Sequence, residues 1–600
     1  MTRGITLLSL LVLLSTVAPA APQPAEQEPP ATTFFETVDI EVATIEVFVS
    51  DRKGTPVTGL DRDDFELLID GEPVEITNFY AEMLGRPSTV EWLAETAETG
   101  SEIDDVESGR RPPPQRLRIV VFIDHTNLRA GNRKRALDLL QEFLGRNAGP
   151  DAGVAVVSLT DRLWIHSDFL NDKHTIARIF HDVEGLGYRD TTGREERSRI
   201  LNQMSRGHTG GILSPNRVPN PLDPDRSAPT TAELWDTSIE ASIRAYAANE
   251  YQRSRASLEA LKRFVGSLGG VSGRKALIYV SDGIVNRPGE DLYVAYRNAF
   301  TGSTRAPGMV QTDPNTDYLR QVGQYDLGLE IQKVAEAANA AGVTVYAIDA
   351  EGDHTTAVRS ALLDGGAATS EAVSAIEANA REPLEYATEA TGGRRIQASD
   401  RLLSDLAIVA ADFDSYYSLG FRPPEAEQGA TQDINVRLRG AEAGAGHVVR
   451  YRDSRRTKGA DQRTGEAMLA AIFYNATNNP LELGLTQGEP VRRADGNLVV
   501  PVTIEIPVAK LTLIPEEAVS AARLSIYVTV KDAKGDARAV QEMPFHLRIP
   551  ADKVEEAKQH AAHHTLQVVL RPGDQQVAVG VRDEIGATLS TVRVEVAGTV

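Results

Sequence analysis

Two aspartates follow apolar segments that are typical of buried strands. Asp124 comes directly after residues 117–123, and Asp282 follows residues 276–280 with one serine between them. Ligands of open parallel sheets bind at the carboxyl ends of the strands, so both carboxylates are expected at one edge of the same sheet. Thr126 lies two residues beyond the first aspartate, and its hydroxyl can face the same cation. Such oxygen ligands suit Mg²⁺ or Mn²⁺, with one position open for a carboxylate of a partner protein.

The alternative interpretation of both aspartates is purely structural, because an aspartate at the end of a strand often only caps the helix that follows. The sequence also lacks the common enzyme motifs: it has no His-Glu-x-x-His, no Gly-x-Ser-x-Gly, no phosphate-binding glycine loop and no dinucleotide fingerprint. We therefore expect a protein that binds a partner and is not an enzyme.

The composition restricts the class of partner. The 600 residues include 63 Lys and Arg against 85 Asp and Glu, which gives a net charge of -22. Binding to a nucleic-acid backbone requires clustered cations, so no nucleic-acid partner is expected. The chain has no cysteine, which excludes disulfides and thiol chemistry. The expected partner is another protein or a surface polymer, which the sequence does not identify.

The amino-terminal segment has the pattern of an export signal. A short apolar run at residues 5–14 follows Arg3, and residues 18–20 read Ala-Pro-Ala. The run is too short to cross a membrane, so residues 1–20 are predicted to be a signal peptide that is removed. Residues 21–34 are predicted to be a flexible leader. The mature protein is then expected in the periplasm or outside the cell, without a transmembrane segment.

The segment 116–421 has an α/β pattern. Apolar runs alternate with segments of helical periodicity, and the main runs are residues 117–123, 154–159, 276–280 and 343–348. Nearly unbroken apolar strands are covered on both faces, so the pattern predicts a doubly wound parallel sheet. Residues 186–230 interrupt it with a polar, Gly- and Pro-rich stretch, which is predicted to be an insertion loop.

Period-two alternation on either side predicts flanking β-sandwich-like domains. Residues 35–82 are expected to form a small β module, and the acidic, proline-rich residues 83–115 a linker. Residues 422–452 are expected to form a β hairpin that closes the α/β block. Residues 466–600 are expected to form a C-terminal β-sandwich.

The α/β block resembles von Willebrand factor A domains. In that family an Asp-x-Ser-x-Ser motif follows the first strand, and a Thr from a middle loop and an Asp after a later strand complete a metal-ion-dependent adhesion site. Asp124, Thr126 and Asp282 match the first Asp, the first Ser and the last Asp. Thr191 or Thr192 is the candidate for the middle-loop residue, and the resemblance therefore implies an Mg²⁺ or Mn²⁺ site.

One position departs from the motif, because Leu128 stands where the second Ser belongs and cannot ligate a metal. The site is therefore expected to be degenerate and to bind the ion weakly. Water would have to fill the vacant position, and the apolar side chain is expected near the ion.

A wider resemblance covers about two thirds of the chain. Residues 54–60 read Gly-Thr-Pro-Val-Thr-Gly-Leu, and Asp-Phe-Glu at 64–66 and Asp-Gly at 70–71 follow. This arrangement is similar to the bacterial family of von Willebrand factor A-related proteins with an N-terminal β module. The resemblance implies an exported, non-enzymatic protein whose A domain mediates protein binding or adhesion. The alternative is a structural or assembly component of the cell envelope that uses a metal-free A domain as a scaffold.

Overall fold

The computed structural model describes the following residues: 43–83, 86–87, 91–92, 116–149, 152–186, 192–209, 231–300, 320–351, 370–398, 402–440, 442–516 and 518–597. The predicted signal peptide and leader, and most of the predicted linker, lie outside these residues. No helix in the described ranges combines the length and the apolar content that a membrane crossing requires. The described chain is a mixed α/β structure with several sheets, of which one is mostly parallel.

The first described strands are β1 (Ala43–Ser50), β2 (Phe65–Ile69), β3 (Glu72–Val74), β4 (Ile76–Met83), β5 (Arg86–Pro87) and β6 (Glu91–Trp92). The central sheet follows, with β7 (Leu117–Asp124), β8 (Gly153–Leu159), β9 (Leu163–Ile165), β10 (Arg274–Ser281), β11 (Val343–Asp349) and β12 (Arg394–Gln397). Its strand order is β12-β11-β10-β7-β8-β9, and only the pair β8–β9 is antiparallel.

Helices cover both faces of this sheet. They are α1 (Ala130–Asn147), α2 (Lys173–Glu184), α3 (Thr192–Thr209), α4 (Thr231–Ser267), α5 (Glu290–Phe300), α6 (Gly328–Ala341), α7 (Ser370–Ala390) and α8 (Leu402–Asp414). Alternate side chains of a strand point to opposite faces. Val121 of β7 packs with apolar residues of α1, α2 and α8. Its neighbour Phe122 packs on the other face with residues of α4 and α6. Both faces of the central sheet are therefore buried at β7, which explains the nearly unbroken apolar run at 117–123.

The predicted insertion loop is wrong for residues 192–209, which form α3. Ile200, Leu201 and Met204 lie on one side of this helix and are buried against Ile239 of α4 and residues of α5. The remaining positions are mostly charged or polar, so the helix has a narrow apolar stripe. Residues 187–191 and 210–230 of the predicted insertion lie outside the described residues.

The predicted hairpin at 422–452 is also wrong. The strands after the block are β13 (Ser415–Phe421), β14 (Thr431–Leu438), β15 (Val448–Tyr451) and β16 (Ser454–Arg456). β14 pairs with β2 and β16, whereas β15 pairs with β1. β13 lies between β1 and β4. The strands on the two sides of the α/β block thus share one apolar core, which includes Ile45, Phe65, Tyr417 and Ile434.

Helix α9 (Ala460–Tyr474) occupies the start of the region where the sequence predicts the C-terminal β-sandwich, residues 466–600. Tyr474 packs into the core below the central sheet, and Met468 packs against the sheets that follow. Those sheets are antiparallel and contain β17 (Gly484–Gln487), β18 (Val491–Arg492), β19 (Leu498–Pro507), β20 (Ile514–Pro515), β21 (Val519–Asp532), β22 (Gln541–Pro550), β23 (Ala561–Leu570), β24 (Gln575–Asp583) and β25 (Thr588–Val596), with the short helix α10 (Val554–Ala557) after β22. The two sheets enclose one apolar core.

Candidate functional site

The structure brings three of the four predicted site residues together at the carboxyl edge of the central sheet. Asp124 ends β7, Thr126 lies in the short turn that follows, and Asp282 follows β10. β7 and β10 are parallel neighbours, with Ile123 opposite Val280. The backbone N–H of Asp282 donates to the carbonyl oxygen of Asn127 at 2.7 Å, which locks the two strand ends together.

The carboxylate of Asp124 is buried and receives four hydrogen bonds from protein donors. Its Oδ1 accepts from the backbone N–H of Thr126 at 3.0 Å and from the hydroxyl of that residue at 2.5 Å. Its Oδ2 accepts from Asn127 Nδ2 at 2.9 Å and from the hydroxyl of Tyr279 at 2.6 Å. A carboxylate has about four lone-pair positions, so these donors fill its capacity.

The hydroxyl of Tyr279 always acts as a hydrogen-bond donor to Asp124 in this arrangement. Burial, and then the adjacent charge of Asp124, raise the pKa of Tyr279 well above its ordinary value. The proton therefore stays on the tyrosine oxygen and points to the carboxylate at every pH of practical interest. Sequence reasoning missed this residue, because a tyrosine inside an apolar strand has no motif of its own.

Asp282 is held by different donors. Its Oδ2 accepts from the backbone N–H of Arg129 at 2.8 Å, and its Oδ1 accepts from Asn132 Nδ2 at 2.8 Å. The guanidinium of Arg129 lies 3.9 Å from the same carboxylate and pairs with Glu351 at 2.7 Å. Burial raises the pKa of Asp282, although these hydrogen bonds oppose the shift. A cation already stands at this carboxylate.

The fourth predicted residue is only partly located. Thr191 lies outside the described residues, and Thr192 is the first residue of α3. The backbone beside it approaches α4, because a Cβ at Gly193 would lie 2.9 Å from Glu250 Oε2. The hydroxyl that does reach Thr126 Oγ1 belongs to Ser257 of α4, at 3.3 Å. No sequence motif marks that serine, and only the course of α4 brings it there.

Leu128 does not lie beside the predicted ion, where the resemblance to the adhesion motif places it. Its side chain is 3% exposed and belongs to the apolar core between the sheet and α1. The expectation of an apolar group beside the ion is therefore wrong, because the chain after the turn at residues 125–127 directs this side chain into the core.

These residues fit an adhesion-site metal poorly. The small cavity beside Asp124 and Tyr279 measures about 10 Å³, and neither Thr126 nor Asp282 lines it, so it is not a space that the three predicted ligands share. Mg²⁺ usually keeps several waters and binds through one or two carboxylates. Here protein donors occupy the oxygens that the ion would use.

A cleft opens beside this edge, between the α/β block and the C-terminal sheets. Its volume is about 1460 Å³, and Thr126 and Asn127 form part of its wall. The segment around β9 contributes Trp164, which is 38% exposed and carries the guanidinium of Arg162 over its ring at 3.7 Å. The opposite wall includes Lys531, whose ammonium lies 5.6 Å from the centre of the Phe473 ring. Aromatic and charged groups of both signs therefore line the cleft.

Two histidines near this edge, the buried His125 and the half-buried His166, have contacts that the sequence does not indicate. Ser158 Oγ lies 2.7 Å from His166 Nε2, which is the geometry of a serine and its base. The serine, however, has no exposed surface, so no substrate can reach it. His125 Nδ1 lies 3.0 Å from Arg133 Nη1 and accepts from it. Burial lowers the pKa of His125 to about 4, with Arg133 adding to the shift.

Comparisons with known proteins add little. No family model and no curated protein matches the chain. A structure of a Northeast Structural Genomics Consortium target is 17% identical, covering 20% of this chain and 88% of that chain, with a TM-score of 0.15. A mutant of the PilB minor pilin from Streptococcus sanguinis is 11% identical, covering 63% of this chain and 88% of that chain, with a TM-score of 0.21. These scores support no argument about fold or function.

Proposed function

We propose that this chain is an exported, non-enzymatic binding protein built on a doubly wound von Willebrand factor A-type domain, and that it binds its partner without a divalent cation. The observation that carries the proposal is the set of four protein donors around Asp124, at 2.5 to 3.0 Å. A buried carboxylate that is fully hydrogen-bonded needs no metal to compensate its burial. The strand-end motif then supports the edge of the sheet instead of holding an ion.

The cleft beside this edge is the proposed binding surface for a protein or a surface polymer. Trp164 offers a partly exposed ring, and large aromatic residues with arginine are the groups that most often dominate binding energy. Arg162 is stacked on that ring, so both side chains are already ordered before a partner arrives. Ordered groups lose less entropy on binding.

Affinity capture from envelope extract of the native host tests the proposal. The full chain serves as bait, in buffer with Mg²⁺ and in buffer with EDTA, beside the variants Trp164→Ala and Tyr386→Ala. Tyr386 is the control, because it is an aromatic side chain 44% exposed on α7 and does not line the cleft. We expect the same partner in both buffers, its loss with Trp164→Ala, and its retention with Tyr386→Ala.

Two outcomes would contradict this proposal. Release of the partner by EDTA would favour a metal-dependent adhesion site, and retention of the partner by Trp164→Ala would exclude the cleft. The second outcome combined with EDTA-insensitive assembly would favour the alternative function, an envelope component with a metal-free scaffold. That alternative is supported by the same closed hydrogen-bond set, which requires no ligand at the sheet edge.

A further inference from the structure

A second pocket lies at the opposite end of the central sheet. Its volume is about 260 Å³, and it is bounded by the first residues of β10 and β11, by β1, and by the segment that joins β15 to α9. The strands of the parallel sheet begin here, so this pocket is separate from the cleft at their carboxyl ends. The proposed binding function therefore does not use it.

The lining of this pocket is strongly cationic, although the whole chain has a net charge of -22. Its basic residues are Lys275, Arg452, Arg455, Arg456, Lys458 and Arg463. Among the described lining residues Glu46 is the only carboxylate, and it pairs with Arg274 at 3.2 Å. Lys458 is neutralised by Glu466 at 2.6 Å, from just outside the pocket wall. Six basic side chains against one carboxylate leave the described lining with an excess of positive charge.

Two of these cations converge on one point. A Cβ placed on Gly342 would lie 3.4 Å from Arg452 Nη1 and 3.9 Å from Lys275 Nζ. This glycine has a φ of +64° and no side chain, so the space in front of both heads stays open. Lys275 Nζ donates to the carbonyl oxygen of Val271 at 2.8 Å, and Arg452 donates through Nη2 to the carbonyl oxygen of Thr44.

Both heads keep donors that are not used by the protein. An ammonium has three N–H groups and a guanidinium has five. The Nε of Arg452 is buried and has no hydrogen-bond partner among the described residues. No ion pair joins Lys275 or Arg452 to a carboxylate within the same described ranges. Two neighbouring cations that are partly desolvated and make no direct ion pair are an unfavourable arrangement, unless an anion completes it.

We propose that this pocket binds a phosphate-type oxyanion, free or as a phosphoester group, through Lys275 and Arg452. The planar guanidinium matches two oxygens of a phosphate, and the ammonium supplies a point charge beside it. The pocket has room for several water-sized groups, so the oxyanion can carry a small substituent.

The protonation of Lys275 gives this site a defined pH dependence. Burial lowers the pKa of Lys275 to about 8, with Lys458 and Arg452 adding to the shift and Glu46 and Glu466 opposing it. The ammonium is therefore mostly charged at pH 7 and mostly neutral at pH 9. Binding of the oxyanion is expected to weaken between these two pH values.

Calorimetric and thermal titrations of the full chain with inorganic phosphate test the proposal, with NaCl used to hold the ionic strength constant. We expect a saturable rise in the unfolding midpoint at pH 7, and an affinity at least several-fold lower at pH 9. Glycerol phosphate is the second probe. A larger response to it than to inorganic phosphate identifies a phosphoester ligand, and the reverse identifies free phosphate.

The variant Lys275→Met separates ligand binding from folding. It removes a partly buried charge, so without phosphate it should unfold at the same temperature as the native chain or at a higher one. Its response to phosphate should fall at least tenfold. Lys553→Met, at an exposed lysine outside the pocket, should respond like the native chain. An unchanged phosphate response in Lys275→Met, or a native response that NaCl alone reproduces, would overturn the proposal.

Discussion

The replacement Leu128→Ser restores the residue that an intact adhesion motif has at this position, and its effect follows from where the side chain lies. Leu128 is 3% exposed and packs in the core between the central sheet and α1. Truncating a buried leucine to alanine destabilises a protein by about 2–5 kcal/mol. A serine also places a hydroxyl in that core, and an unpaired buried hydroxyl costs about 1–3 kcal/mol.

We therefore expect Leu128→Ser to lower the free energy of unfolding by roughly 4 kcal/mol or more. A block of about 300 residues has an unfolding entropy of about 0.6 kcal/mol/K, so each kcal/mol shifts the midpoint by about 1.6 °C and the transition should fall by about 6 °C. Thermal unfolding of the full chain, followed by circular dichroism with and without Mg²⁺, measures the effect. The matched control is Leu329→Ser, because Leu329 is 58% exposed on α6. Its midpoint should change little.

A specific result would refute the reasoning. If Leu128→Ser unfolds within about 1 °C of the native chain and Mg²⁺ then raises its midpoint, the side chain at position 128 must face the ion and not the core. The sequence motif would in that case describe the site better than the hydrogen-bond geometry does.

Three further predictions follow from other contacts. His125 is buried, and its pKa of about 4 lies below the ordinary value of 6.5, so the unfolded chain takes up the proton at a higher pH than the folded chain does. The free energy of unfolding should therefore fall by about 3 kcal/mol as the pH drops from 6.5 to 4. Urea titrations should show a weaker pH dependence for His125→Gln. Asp412→Ala leaves Arg450, now 2.6 Å from that carboxylate, without its counter-ion and should cost about 3–5 kcal/mol in denaturant unfolding; equal stability would make the pair unimportant. Gly270→Ala should destabilise the chain because its Cβ would lie 2.3 Å from a backbone oxygen of α9, whereas Gly266→Ala in α4 meets nothing and should stabilise it by about 0.5–1 kcal/mol; calorimetric midpoints that move in the same direction would contradict this.

Those parts of the fold that depend on local pattern were predictable from the sequence. β7 and β10 lie where the apolar runs predict strands, and their ends bring Asp124 and Asp282 to one edge as expected. A strand that is buried on both faces must be apolar along its whole length, so its position and its end can be predicted from the sequence.

The errors arise where long-range pairing decides the structure. β14 and β15 alternate as a hairpin would, yet they pair with β2 and β1, more than 350 residues earlier in the chain. Period-two alternation identifies a strand but not its neighbour. Helix α3 has few apolar residues, so its sequence pattern does not predict a helix. Its apolar side chains are buried only because α4 and α5 pack against them.

In the candidate site, too, long-range contacts decide what the sequence cannot show, namely which groups donate hydrogen bonds to a motif residue. Tyr279 allows this to be tested. The motif names the acceptor, Asp124, but the donors that satisfy it come from the turn and from the neighbouring strand. Tyr279→Phe removes one donor to a buried charge and should cost about 1.5–3 kcal/mol, since hydrogen bonds to charged groups are the stronger ones. Tyr474→Phe removes an equally buried hydroxyl whose partner is the neutral Ser267 at 2.7 Å, so its cost should be only about 0.5–1.5 kcal/mol. Denaturant unfolding in metal-free buffer compares the two variants. If Tyr279→Phe is as stable as the native chain there, the phenol does not sustain the carboxylate, and the argument that protein donors replace the metal at this edge fails.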